Sequence, residues 1–405
     1  MDVITKLQDV ATHMNLEPDG EPARQLPLAQ EIAPCGQLIP KAPPNPPKGD
    51  KKSIGISHLI MPGGKTLPAL KTMLTTACER DCYYCPFRAG RSYRRQSFKP
   101  EEMAKTFMDM HRAGLVKGLF LSSGIIKGGV ATQDRLIDTA DILRNKYQYK
   151  GYLHLKVMPG AEKDQVRRSM ELASRLSVNL EAPNDKRLAL LAPKKQFVNE
   201  LVKPLEWIEQ VRKNEQPLNS WNTRWPSSVT QFVVGGVGES DLELLIISEL
   251  LIKKYKLQRI YYSAFRPIID TPMENLPAEN PMRQHRLYQT SFLFRDYGFD
   301  MEEMPFDRDG NLPLDEDPKM AWANAHLLEN PVEVNKAERT ILIRVPGVGP
   351  IGVKRILNAR RQGKIRDLAD LRKIGVPTKR LESYVLLDGK RPLRQMPLFP
   401  VKQKP

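Results

Sequence analysis

Cysteine is scarce in this chain. Four occur in 405 residues, and three of them crowd together, so the disulfide framework of a secreted scaffold is excluded. Long apolar runs are missing too. None reaches the ~18 residues that span a bilayer, so no membrane partner is expected. Residues 1–16 include Asp2 and Asp9 and lack an apolar core segment, unlike a signal peptide. These absences point to a reducing, cytoplasmic setting. What remains is the composition of an ordinary globular protein, 40% hydrophobic and 27% charged, long enough for two or three domains.

Acidic residues run short in one region. Residues 336–405 hold 18 Lys/Arg against 5 Asp/Glu, a charge of +13 out of +16 for the whole chain. An excess so confined is the electrostatic footprint of a nucleic-acid contact; a solvated tail is the plainer alternative.

The hydrophobic pattern divides the chain into five parts. Residues 1–50 comprise an amphipathic helix, with Val3, Leu7, Val10 and Met14 at helical spacing, and a proline-rich connector at 40–50. Residues 51–265 alternate short apolar runs with longer stretches of helical period. Strands are expected at 71–76, 118–122, 152–157, 178–181, 229–234 and 259–264, with helices at 100–113, 132–147, 162–176, 184–191, 197–212 and 239–255. Such alternation predicts an α/β fold, a partial (β/α)6 barrel with its chemistry at the C-terminal strand ends. Residues 266–335 are expected to wrap the barrel, with helices at 283–297 and 318–328. Residues 336–390 read as a small all-α domain, and 391–405 as a basic tail.

Cys78, Cys82 and Cys85 follow the first expected strand directly, in the run Ala-Cys-Glu-Arg-Asp-Cys-Tyr-Tyr-Cys-Pro. Three thiolates on one short loop suit three irons of a 4Fe–4S cluster and leave the fourth iron open to another ligand. Zinc is the rival, but a closed zinc site wants four ligands. Here His58 and His111 stand 20 and 26 residues off, and no second Cys-x2-Cys exists. Cys35, alone between Pro34 and Gly36, reads as a small buried residue. Arg88, Arg91, Arg94 and Arg95 alternate with Phe87, Tyr93 and Phe98, either as a solvated loop or as a grip on substrate phosphates. Tyr261 and Tyr262 read as core aromatics with satisfied hydroxyls.

The Cys-x3-Cys-x2-Cys spacing, with the aromatic Tyr84 before its last cysteine, resembles the radical S-adenosylmethionine (SAM) superfamily. That resemblance implies SAM contacts at later strand ends. Ser122, Ser123 and Gly124, in Leu-Ser-Ser-Gly-Ile (121–125), take the place of the turn that holds the methionine amino group, although the usual Gly-Gly-Glu is absent. Asn179 and Glu181, in Asn-Leu-Glu-Ala-Pro-Asn (179–184), would bind the ribose hydroxyls. Gly235, Gly236 and Gly238, in Val-Val-Gly-Gly-Val-Gly-Glu (233–239), resemble the adenine strand with compressed spacing, and read equally as a strand-to-helix turn.

Residues 341–357, Ile-Leu-Ile-Arg-Val-Pro-Gly-Val-Gly-Pro-Ile-Gly-Val-Lys-Arg-Ile-Leu, resemble a helix-hairpin-helix motif. Val348 would plug the core, Gly347 and Gly349 would free backbone N–H groups for one phosphate, and Lys354 and Arg355 would start the second helix. A weaker unit at 365–376 brings Lys379 and Arg380. The alternative is a purely structural helical hairpin. Contacts of this kind hold the backbone without reading sequence.

The combination adds His154-Leu-Lys-Val-Met-Pro-Gly, Tyr-Tyr-Ser-Ala-Phe (261–265), Arg286-Leu-Tyr-Gln and Asp317-Pro-Lys. Together these resemble a bacterial family of DNA modification/repair radical SAM proteins, often encoded beside a uracil-DNA glycosylase-like partner, over residues 50–390. The resemblance implies a 4Fe–4S cluster and SAM as cofactors and a flavodoxin or ferredoxin as electron donor. It further implies cleavage of SAM to a 5′-deoxyadenosyl radical that acts on DNA, with the base flipped or single-stranded. A DNA-binding protein with a structural or redox-sensing cluster, and an RNA-modifying enzyme, are the alternatives. Photoproduct repair that draws hydrogen from a downstream cysteine is not expected, since none follows Cys85.

Overall fold

The structure, a computed structural model, describes residues 2–14, 54–60 and 66–392. Cys35, the connector at 40–50 and nearly all of the basic tail lie outside the described residues. Two compact units divide the chain. Of the described residues, 2–14, 54–60, 66–239 and 246–280 belong to the first, and 240–245 and 281–392 to the second.

The first unit opens with α1 (Val3–Met14), which buries Leu7, Val10, Ala11 and Met14. Its elements continue as β1 (Ile56–Ile60), β2 (Thr66–Met73), α2 (Pro100–Arg112), β3 (Gly118–Ser122), α3 (Gly128–Asp141), β4 (Tyr152–Lys156) and α4 (Lys163–Leu172). Then follow β5 (Arg175–Ser177), α5 (Asp185–Leu191), α6 (Lys203–Asn214), β6 (Ser227–Val234), α7 (Asp241–Tyr255, begun in the second unit) and β7 (Arg259–Ala264). β2 to β7 pair in parallel in unbroken sequence order, and β1 adds an antiparallel edge. Unbroken order with right-handed crossovers places the crossover helices on one face, and the sheet curls into a half-barrel.

Alternation along the strands separates the two faces. Leu70, Leu119, Leu121, Leu153, Leu155 and Leu176 are fully buried against the helices. The opposite face carries, in one register row, Lys71, Phe120, His154 and Arg175.

Three differences from the sequence reading have physical causes. The expected first strand begins five residues early and gains the partner β1, because Pro68 interrupts the local strand pattern without breaking the pairing. The strand expected at 178–181 lies earlier, at Arg175–Ser177, where the helix expected at 162–176 has already ended at Leu172. Glu181 turns left-handed (φ 65°) and keeps only one bridge, to Phe232. The C-terminal region is not all-α, as described below.

The second unit contains α8 (Pro281–Phe292), α9 (Pro318–His326), β8 (Val332–Glu333), α10 (Arg339–Leu342), α11 (Pro350–Gln362), α12 (Leu368–Lys373) and β9 (Val385–Leu386). β8 and β9 form a parallel pair with Val332 opposite Val385, which corrects the all-α expectation. Both valines are buried, so the pair closes the core while sealing its own backbone. Ala323, Leu327 and Val334, from the segment expected to wrap the barrel, share this core with Leu342, Val348 and Val353. Asp317 caps α9 by accepting the N–H groups of Lys319 (3.0 Å) and Met320 (3.2 Å).

Candidate metal and cofactor site

β2 delivers the chain to the cysteine loop, and the turn after β3 zips onto it. Leu74 N–H donates to Ser122 O (2.8 Å), Gly124 N–H to Thr75 O (2.7 Å) and Glu79 N–H to Ile125 O (2.8 Å). Gly124 has no room for a Cβ, which would run into the Ala77 carbonyl. The expected SAM residue is thus also a packing residue that lets the two loops touch. Ser123 Oγ donates to Gly124 O (2.7 Å), and Ser122 is half-buried.

Cys82 is buried, while Cys78 and Cys85 are half-buried. The Ile125 N–H points at Cys78 Sγ and the Phe87 N–H at Cys85 Sγ, each at 3.4 Å. Such N–H···S contacts favour thiolate and tune a cluster. Tyr84 is buried beside them. Burial pushes the Cys82 thiol up, and the nearby Lys195 ammonium pulls it back.

The arginines after the cysteines hold the loop together. Arg95 donates to the carbonyls of Thr76 (2.9 Å), Phe87 (2.7 Å), Arg88 (2.7 Å) and Arg91 (3.0 Å), and its guanidinium lies 3.8 Å from the centre of the Tyr93 ring. Tyr93 Oη donates to Thr76 O (2.6 Å), and burial raises that phenol to about 12. Arg91 donates to Pro86 O and Ile269 O, both at 3.0 Å. Of the two readings, a solvated loop or a phosphate grip, neither describes these two side chains, which are tied to carbonyls; Arg94 alone of the four is exposed.

Glu181 and Lys195 form a buried pair (3.2 Å) next to the cysteines. Burial alone would lower the Lys195 ammonium. Cys82, Glu181 and Cys85 outweigh it and hold the ammonium above the usual lysine range. Lys195 is therefore a fixed counter-charge for the thiolates, which no motif in the sequence announces. The left-handed backbone of Glu181 is held by β6: its N–H donates to Gln231 O (2.9 Å) and its carbonyl accepts from Val233 (2.8 Å). A non-glycine residue held there stores on the order of 1–3 kcal/mol, a cost that clusters at functional positions. Its Oε2 is buried without a partner, so one carboxylate oxygen remains for a ligand. Asn179, two residues earlier, is half-buried.

The glycine run after β6 folds around Glu239. Gly235 N–H donates to its Oε1 and Val237 N–H to its Oε2 (3.3 Å). Gly235 is left-handed (φ 85°) and packs against Glu279, Gly236 packs against Leu191 and Met273, and Gly238 (φ 71°) is exposed. Tyr262 is fully buried with its hydroxyl 2.9 Å from Ser248 Oγ, whereas Tyr261 is half-buried on the face away from the helices.

The donor set fits the expected cofactors: three thiols on one loop with N–H groups on two of the sulfurs, a buried counter-cation, and a carboxylate oxygen awaiting a partner. Among the described residues, no three His, Cys, Asp or Glu side chains gather as a site for a single metal ion. A cubane does not require that convergence, because each thiolate binds a different iron.

In the second unit, the Pro-Gly-Val-Gly run links α10 to α11. Gly347 is left-handed (φ 81°) and sits against Arg380 and Pro377, and Val348 is buried in the core. Gly375 (φ 74°) and buried Val376 repeat that pattern after α12. Gly349 precedes Pro350 at the start of α11 and packs against the Tyr297 hydroxyl. Lys354, Lys379 and Arg380 are exposed; Arg355 is exposed but donates to Gly375 O (2.7 Å). Beneath the hairpin, Lys319 Nζ donates to Val348 O (2.7 Å) and lies 4.5 Å from the Tyr297 ring centre. Burial lowers this ammonium to about 7, against the pull of Asp317.

Residues 72–251 match the radical SAM superfamily. No curated protein matches the sequence. Among solved structures, methylornithine synthase is 13% identical with a TM-score of 0.44, over 56% of this chain and 61% of that one. The FeFe-hydrogenase maturase HydG from Carboxydothermus hydrogenoformans is 13% identical with a TM-score of 0.42, over 56% and 50%. The radical SAM methyltransferase TsrM from Kitasatospora setae is 9% identical with a TM-score of 0.37, over 54% and 39%. This chain thus spans less than two thirds of each. No helix among the described residues is long and apolar enough to cross a membrane. Residues 72–251 carry a radical SAM superfamily domain, whose cofactors are a 4Fe–4S cluster and S-adenosylmethionine.

Proposed function

We propose that this chain is a radical SAM enzyme that modifies or repairs DNA. The observation that carries the catalytic part is the cysteine loop joined through Lys195 to Glu181. Cys78, Cys82 and Cys85 would each hold one iron, and Glu181, with its spare Oε2, would take a ribose hydroxyl. Ser122, Ser123, Asn179 and Tyr84 complete the proposed SAM contacts. When bound, these cofactors supply reductive cleavage of SAM and a 5′-deoxyadenosyl radical able to abstract hydrogen. The protein's own part is to fix the loop through Arg95 and to keep the Cys82 side and the Lys195–Glu181 pair away from water.

DNA as the polymer is supported by the second unit. Its glycine hairpins, α11 N-terminus and exposed Lys354, Lys379 and Arg380 suit one or more backbone phosphates, as a helix-hairpin-helix module would. Flavodoxin or ferredoxin would donate the electron, and a uracil-DNA glycosylase-like protein would act alongside. The test is anaerobic. The reconstituted protein with reductant and SAM should form 5′-deoxyadenosine, faster with duplex, single-stranded or uracil-containing DNA than without. Cleavage that RNA stimulates and DNA does not would move the substrate to RNA. No cleavage under any condition, with DNA binding retained, would leave a DNA-binding protein with a structural or redox-sensing cluster.

A further inference from the structure

Two motifs in the sequence have no part in the cofactor site: Arg286-Leu-Tyr-Gln on α8 and Asp317-Pro-Lys at the start of α9. In the second unit they meet beneath the first glycine hairpin. Arg286 is buried and donates through Nη1 to Gln289 Oε1 (2.8 Å) and through Nη2 to Leu314 O (2.9 Å). Gln289 Nε2 donates in turn to Asp317 Oδ2 (2.7 Å). The other oxygen of Asp317 caps α9, whose first turn carries Lys319. Lys319 ends the relay on the Val348 carbonyl, at 2.7 Å.

A lysine is a costly residue for that position. Burial disfavours its charged form, and Asp317 offsets only part of the effect. A methionine would fill similar space without that cost. It could not hold a carbonyl.

The effect of that hold follows from peptide geometry. In a trans peptide the C=O and the following N–H point in opposite directions. No cis peptide occurs among the described residues. The Val348 carbonyl is drawn down to Lys319, so the Gly349 N–H is turned away from it. Among the described residues that N–H has no acceptor, and no side chain caps α11. The second hairpin lacks this device. Its counterpart of Gly349 is Pro377, which has no N–H, and its Val376 N–H donates to Leu371 O (3.0 Å). Lys319 is 8% exposed with its ammonium on a carbonyl, so it reaches no phosphate itself and acts through the peptide above it.

We propose that Lys319 is a positioning residue for DNA binding: it holds the Val348 carbonyl inward and so presents the Gly349 N–H to a backbone phosphate, while Arg286, Gln289 and Asp317 fix the lysine from below. This rests on the DNA reading above. The exposed Lys354, Lys379 and Arg380 supply attraction, and the relay supplies direction. Without it the 348–349 peptide could turn its carbonyl, an acceptor, toward the phosphate.

The test needs no cluster. Affinity for a DNA duplex is read by fluorescence anisotropy over a salt series at pH 9, for wild type, Lys319→Met, Gln289→Met and Lys354→Met. That pH lies above the lysine's value of about 7, so Lys319→Met removes a hydrogen bond and little charge. It should weaken binding about tenfold and leave the slope of log affinity against log salt unchanged. Lys354→Met should flatten that slope by about 0.9. Gln289→Met, which loosens Asp317, should weaken binding about threefold. Melting of Lys319→Met should stay near wild type, because relief of the buried amine offsets the lost bond. If it melts far lower, Gln289→Met carries the same comparison. The direct reading is the Gly349 amide signal, in protein labelled with carbon-13 at valine carbonyls and nitrogen-15 at glycine. It should shift when DNA is added to wild type and stay put in Lys319→Met. Wild-type affinity in Lys319→Met, or a wild-type Gly349 signal that DNA does not move, would overturn the role of Lys319 and leave DNA binding standing. A flattened slope with lowered melting in both relay variants would also overturn it, since the relay would then only hold the fold. A wild type that binds no DNA would overturn both this role and the DNA reading.

Discussion

Two groups of cations follow glycine- or cysteine-bearing loops in this molecule, and they do different work. After the cysteines, Arg91 and Arg95 turn inward and are tied to six backbone carbonyls between them. After the hairpin glycines, Lys354, Lys379 and Arg380 stand exposed. The sequence pattern is similar in both places: basic residues near aromatics or glycines. The difference lies in the backbone. A loop that must hold three thiols in place leaves many carbonyls unpaired, and a forked guanidinium satisfies several at once. In the hairpins the Val348 and Gly375 carbonyls are already taken by Lys319 and Arg355, which leaves Lys354, Lys379 and Arg380 to solvent or to phosphate.

Removing one cation from each loop should separate the two roles. Arg95→Ala should have the largest effect. Losing a charged donor to four carbonyls costs on the order of 3 kcal/mol, and reconstituted protein should hold far less than four irons per chain. Normal iron content and melting temperature would place Arg95 with the solvated cations after all. Gly124→Val reaches the same loop from β3. It should depress iron content comparably, because the side chain collides with Ala77, while Cys78, Cys82 and Cys85 remain in place.

Glu181→Gln keeps the fold but alters the Lys195 pair and the unpaired oxygen. SAM affinity, read by equilibrium binding to cluster-loaded protein, should fall about tenfold, roughly one charge-assisted hydrogen bond. On the hairpin side, Lys379→Ala with Arg380→Ala should leave iron content and melting unchanged. The slope of log affinity for DNA against log salt should flatten by about 0.9 for each phosphate that the variant no longer neutralises. An unchanged slope would mean that these cations only solubilise the unit.

The last prediction concerns Lys319 and is read from pH dependence alone. Its folded-state ammonium, near 7, lies below the unfolded value of about 10.4. Between those values the unfolded chain holds a proton that the folded chain sheds, so stability of the second unit should rise with pH from 7 to 10. Below 7 both states are charged and this contribution is flat. Urea melts at pH 7 and 9 should show the rise in wild type and a smaller one in Lys319→Met.

What the sequence made legible was the local chemistry. The cysteine spacing, the bounds of β3 and β7, and the two glycine-valine turns are set by residues within a few positions of each other. What it hid depends on distant partners. Lys195 sits in an unremarkable Ala-Pro-Lys-Lys-Gln stretch and gains meaning only from Cys82 and Glu181. β1 and the β8–β9 pair are short strands whose pairing partners no local pattern names. The left-handed Glu181 is imposed by β6, where ordinary strand propensity predicted continuation. The basic row of Lys71, His154, Lys156 and Arg175 is scattered over more than a hundred residues and becomes a surface only through parallel register.

The chemistry proposed for this chain depends on three cysteines leaving one iron open to SAM. Electron paramagnetic resonance of the reduced, reconstituted protein reads that iron directly. Adding SAM should change the cluster's g-values in wild type, and Cys82→Ala should give no comparable cluster signal. An identical spectrum with and without SAM, from a fully loaded cluster, would mean that no iron is open to it.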